Sequence, residues 1–89
     1  MQNRFDVLRW TTARVLHAAR HGVDPEEADE VLYDEGAQLR RGSDGRFLLY
    51  GRTESGRPLL VVLEDEGGRV AAPVTARDLT REERRPFLG

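Results

Sequence analysis

Two periods of apolar residues succeed one another along the chain. In "FDVLRW" (residues 5–10), Phe5, Val7, Leu8 and Trp10 suggest a short opening strand. Val15, Leu16 and Ala19 then recur at helical spacing behind Thr11 or Thr12, either of which can cap a helix. Gly22 follows where a left-handed C-cap is commonly placed. "DPEE" at 24–27 is a second helix start: Asp24 at the N-cap, Pro25 at N1, and Glu27 at N3 to return a capping-box bond. Ala28, Val31 and Leu32 supply that helix's buried face. "HAARHGVDPEE" therefore encodes, before anything else, a corner between two helices.

From Gly36 onward the period falls to two. "AQLRR", "RFLLYGRT", "RPLLVVLE" and "RVAAPVTAR" read as four strands, separated by turn chemistry at 42–45, 54–56 and 66–68. The "LLVVL" run at 59–63 is apolar on both faces, which predicts a central strand covered by helices on at least one side. Pro73 cannot donate to a ladder, so its strand should be an edge there or be interrupted. Thr80-Arg81-Glu82-Glu83 is a capping box opening a short last helix that Pro86 disturbs. The predicted order is β-α-α-β-β-β-β-α. This is an α+β fold with an antiparallel sheet of about four to five strands packed against two N-terminal helices, followed by a short C-terminal helix.

At 89 residues this is one domain, spanning 1–89, without repeats or linkers, and it can bury one thin core. The absence of cysteine excludes disulfides, thiolate zinc sites and thiol nucleophiles, and suits a reducing compartment. "MQNRFDVLRW" holds no apolar stretch long enough for a signal peptide or membrane span, so a cytoplasmic protein with no membrane partner is expected. The net charge of -2 hides a bipolar distribution. Residues 24–35 carry 7 acids and no base, leaving 14 arginines against 9 acids elsewhere, a net of +5. Lysine is absent; genomic base composition alone can cause that, but the arginine fork also suits phosphate recognition.

His17 and His21 share a helical face, with Arg14 one turn earlier. The spacing permits a metal, but no glutamate follows His17 and no third ligand is evident, so neither metal nor cofactor is expected. His21 beside Gly22 is open to two readings: a C-terminal histidine favoured by the helix dipole, or a proton carrier. Arg52 and Arg77 stand at strand ends that a meander could bring to one rim. There they could contact phosphate, or pair with Glu54 or Asp78. Arg81, Arg84 and Arg85 would continue such a patch. Glu83, at N3 of its capping box, reads as structural before it reads as a general base. Trp10, Phe47 and Tyr50 read as core, and Tyr50 could stack on a base if exposed.

The order of elements, with "FDVLRW", "HAARHGV" then "PEEADEVL", "RFLLYGRTESGRPLLVV" and "TARDLTREERRPF" in sequence, resembles the BrnT family of small ribonuclease toxins, from about Phe5 to Phe87. The resemblance implies a RelE-like fold and a metal-independent endoribonuclease that inhibits growth as the toxin of a type II toxin–antitoxin system. It also implies a ribbon-helix-helix antitoxin as partner, with operator DNA bound only through that complex. His21, in an Arg-His-Gly motif supplied by Arg20, and Arg52 and Arg77 fall at family-matching positions and are the expected catalytic residues. Arg81, Arg84, Arg85 and His17 are expected to contact RNA. Three positions depart from the family's pattern: Thr11 where an aspartate is frequent, Pro73 in the last strand, and Phe87 where a tyrosine is usual. They bear on activity more than on fold. The low net charge, Pro73 and Phe87 favour the alternative of a degenerate toxin-like module that binds an antitoxin and acts in transcriptional autoregulation without cutting RNA.

Overall fold

A computed structural model describes residues 4–88, with side chains up to Pro86; the Phe87 side chain lies outside the described residues. The elements are β1 (Val7–Leu8), α1 (Thr12–Arg20), α2 (Pro25–Tyr33), β2 (Gln38–Arg41), β3 (Arg46–Arg52), β4 (Pro58–Gly67), β5 (Val70–Asp78) and α3 (Arg81–Leu88). They build one sheet in the order β1-β5-β4-β3-β2. The meander β2 to β5 is antiparallel as expected, but β1 pairs with β5 in parallel, so the sheet is mixed. β1 is also shorter than the "FDVLRW" pattern suggests. Only Val7 and Leu8 pair with β5, and Arg9 adds one further bond to the Ala71 carbonyl.

The helix ends follow from local chemistry. Thr11 caps α1, its hydroxyl accepting from the Arg14 amide at 3.2 Å. That gives the residue standing where the family often has aspartate a structural use. Gly22 adopts φ +71°, a left-handed conformation that ends α1 with little steric cost. The Glu27 carboxylate accepts from the Asp24 amide at 3.1 Å, starting α2.

Strand alternation sorts the side chains into two layers. Phe47, Leu49, Leu59, Val61, Leu63 and Ala76 face α1 and α2 and join Ala18, Ala28, Val31 and Leu32 in the main core. Leu48 and Tyr50 point the other way, with Leu60 and Val62, and pack with Leu79 beside α3 in a smaller, more open cluster. β4 is central, as "LLVVL" requires. Pro73 is fully buried in β5, and both expected devices are present. β1 has already ended, and the β4 register jumps between Val62 and Leu63 so that Val74 is left over as a bulge.

Candidate active site

The second sheet face leads to a rim. β3 and β5 flank β4 and run the same way, so Arg52 and Arg77 both lie where those strands finish. Tyr50, Leu60 and Arg77 form one row across the three strands, and Arg52 stands opposite Pro58. The Pro58 carbonyl accepts from the Leu79 amide, which turns the chain into α3.

α3 is fixed at its start twice over. The Glu83 amide donates to Thr80 Oγ1 at 3.2 Å, and the Thr80 amide donates to Glu83 Oε1 at 3.0 Å, completing the capping box expected from the sequence. The same carboxylate receives Arg77 Nη1 at 2.7 Å and Nη2 at 2.8 Å. The Arg77 guanidinium first, and the Thr80 amide second, hold the Glu83 carboxyl down at about 2. Arg77 therefore pairs with Glu83; Asp78 offers it only a backbone carbonyl, at 3.1 Å.

Beside this pair, Arg52, Arg81, Arg84 and Arg85 line an open groove of ≈ 230 Å³. Arg52 reaches the Gly56 carbonyl through Nη1 at 3.2 Å. Among the described residues, Arg81, Arg84 and Arg85 form no ion pair, whereas Arg4, Arg9, Arg14, Arg57, Arg69 and Arg77 each meet a carboxylate. Within the described residues α3 thus presents three guanidiniums that no carboxylate neutralises, as is also true of Arg20, Arg41 and Arg46 elsewhere. A cluster of planar guanidiniums at a shallow groove is suited to phosphate oxygens.

The histidines belong to the other layer. α1 packs over β5 on the main-core side, and His21 is its exposed C-cap. The His17 and His21 rings meet edge to face with centroids 5.5 Å apart. Among the described residues, no group of three or more histidine or carboxylate side chains could hold a metal. The link from this corner to the arginine rim is Arg57, which no motif or spacing singles out beforehand. Arg57 donates to the Gly22 carbonyl at 2.9 Å, to both Glu27 oxygens at 3.0 Å, and to Asp78 at 2.7 and 3.1 Å. Asp78 is lowered chiefly by this guanidinium; Glu27 is lowered first by the Asp24 amide and then by Arg57. So α1, α2, β4 and β5 meet at one cation, next to Arg77.

The acidic run at 24–35 is mostly occupied inside the molecule. Besides Glu27, Asp29 accepts from the Trp10 indole at 3.3 Å, and burial raises its carboxyl. Glu30 accepts from the Glu54 amide at 3.0 Å. Asp34 accepts from the Arg52 amide at 2.8 Å and the Gly36 amide at 3.1 Å, tying α2 to the end of β3 beneath the groove.

No helix among the described residues is long and apolar enough to cross a membrane. Comparison with protein-family models and with curated protein sequences finds no match. Comparison with solved structures gives the 1.1 Å crystal structure of the Brucella abortus ribonuclease toxin BrnT. It matches with a TM-score of 0.67 at 17% identity, covering 84% of this chain and 97% of that one. At that identity the likeness speaks to the fold, and it agrees with the resemblance carried by the sequence motifs: the chain has a BrnT-like α+β fold.

Proposed function

We propose that the protein is a ribonuclease toxin of a type II toxin–antitoxin system, cleaving RNA without a metal and held inactive by a ribbon-helix-helix antitoxin. The observation that carries this is the groove of Arg52, Arg81, Arg84 and Arg85, dense in guanidinium charge and placed on the open sheet face of a BrnT-like fold. In such a reaction the RNA 2′-oxygen attacks the adjacent phosphorus, its proton passing to a base. The bond to the 5′-oxygen breaks, and that oxygen takes a proton as it leaves. The groove arginines and Arg77 stabilise the charge gathering on the phosphoryl oxygens. His21, exposed on the corner that Arg57 ties to Asp78, is the candidate proton carrier. His17, whose ring it meets, extends the RNA contact surface. Operator DNA is bound only through the antitoxin, and the cytoplasm is the working compartment.

Expressing the chain alone should arrest growth, and co-expressing a cognate ribbon-helix-helix protein should restore it. Growth unaffected at confirmed expression would count against a toxin.

One observation favours the alternative of a non-cutting module: the end-on edge of Arg77 is already taken by Glu83. A module of that kind would bind the antitoxin and repress transcription with it, yet leave RNA intact.

A further inference from the structure

The Arg77–Glu83 pair also determines which way the guanidinium faces. A guanidinium carries five N–H donors. In Arg77, Nη1 spends one on Glu83 Oε1 and one on the Asp78 carbonyl, and Nη2 spends one on Glu83 Oε2. Both acceptors lie on the end of the guanidinium and on its Cδ side. The donors left over are Nε–H and the second Nη2–H, which are parallel and lie on the same edge. Among the described residues no hydrogen bond is made on that edge, and the Tyr50 phenol is near enough to the guanidinium to interact with it electrostatically. The Arg77 side chain is 38% exposed, so solvent reaches it. Glu83 cannot turn away, because the Thr80 amide and the first turn of α3 hold its carboxylate.

We propose that Glu83 is a positioning residue that locks Arg77 so that its Nε/Nη2 edge forms a fork for two oxygens of a phosphodiester. The fork's place in cleavage rests on the ribonuclease reading; its affinity for a phosphate group does not. The pairing that favours an inactive module is then a source of preorganisation. It removes the rotamer freedom of a long side chain and leaves the donors that reach phosphate from the side. The strongly ionised state of Glu83 keeps the lock closed across the neutral and mildly acidic range.

Glu83→Gln is the discriminating variant. Glutamine can still accept from the Thr80 amide, as capping boxes permit, but its amide group faces one of the Arg77 donors and breaks the two-point pairing. Thr80→Ala is the control: it loses the hydroxyl that caps α3 and leaves the carboxylate on Arg77. The assay follows Arg77 Nε–H in 1H–15N spectra during titration with inorganic phosphate, alongside kcat and KM for RNA cleavage.

In the wild type and in Thr80→Ala, phosphate should shift the Nε–H signal. In Glu83→Gln that response should weaken, and kcat should fall by about 10- to 100-fold while KM changes little, the mark of an interaction that matters mainly in the transition state. A wild-type signal indifferent to phosphate overturns the proposal. So does a Glu83→Gln protein with wild-type response and kcat, or a Thr80→Ala protein that matches Glu83→Gln in both. A wild type that answers to phosphate but leaves RNA intact retracts the ribonuclease reading and keeps the fork.

Discussion

Replacing Arg57 by alanine should uncouple stability from the RNA groove. The side chain is 27% exposed and bonds to Gly22 after α1, to Glu27 in α2 and to Asp78 in β5. Hydrogen bonds to charged groups contribute about 1.5–3 kcal/mol each when well shielded. Here the figure must be discounted, because the Asp78 side chain is 60% exposed and solvent screens it. Glu27, 25% exposed, and the Gly22 carbonyl are the better-shielded acceptors. A net loss of about 2–3 kcal/mol is therefore expected, including the cost of leaving Glu27 without its cation. For a domain of this size that corresponds to a fall in Tm of roughly 8–24 °C. Thermal melts by circular dichroism read it directly, with Arg69→Ala as reference. Arg69 pairs with Asp6 with both side chains more than half exposed, and its loss should leave the melt almost unmoved. Equal melts for Arg57→Ala and Arg69→Ala would refute the inference that Arg57 clasps the helix corner to the sheet.

Gly51→Ala should destabilise by about 1–3 kcal/mol in urea unfolding, since a Cβ there would sit 3.0 Å from Val31 Cγ1 and 3.1 Å from Ala37 Cβ, where α2 packs on β3. In acid, Glu83, Glu27 and Asp78 all have lowered carboxyls, so the native state binds fewer protons than the unfolded chain. Their stabilisation is present above the ordinary carboxylate range and is lost as pH falls toward 2. Glu83 accounts for ~1 kcal/mol of that after allowance for screening, and Asp29, raised by burial, opposes it slightly; an unfolding midpoint flat between pH 5 and about 2 would contradict this. Arg84→Ala with Arg85→Ala should weaken RNA binding and flatten its dependence on salt by about 0.7 for each phosphate that is no longer neutralised, whereas an unchanged salt slope would place the RNA elsewhere.

Features that depend on neighbours within a turn are legible in the sequence. The Thr11 and Asp24 starts, the Gly22 stop, the Thr80–Glu83 box and the four meander strands all rest on local spacing, and each appears in the structure. Pro73 announces its bulge because a missing donor must be accommodated wherever the strand lies. The parallel pairing of β1 is not legible, because two paired residues carry no directional pattern. Nor is Arg57, whose partners stand 21, 30 and 35 residues away and are recognisable only after the chain has folded. The acidic run at 24–35 is legible as charge, but the use of Asp29, Glu30 and Asp34 is not. In the fold they accept from an indole and from backbone amides, fixing α2 against the strands. For the site, strand ends and helix spacing put Arg52, Arg81, Arg84 and Arg85 on one patch, and the groove contains all four. They do not reveal that the partner of Arg77 is Glu83, because one carboxylate serving both a helix cap and a guanidinium requires the first turn of α3 to return to the Arg77 side chain.

The most direct test of the proposed function is cleavage of a 5′-labelled RNA by the purified chain in excess EDTA, run beside Arg52→Ala. The expected result is cleavage that chelation does not diminish and that leaves 2′,3′-cyclic phosphate ends. Arg52→Ala should lose about 10- to 100-fold in rate with its melt unchanged. RNA left intact by the folded wild type, or cleavage abolished by EDTA and restored by a divalent ion, would contradict it.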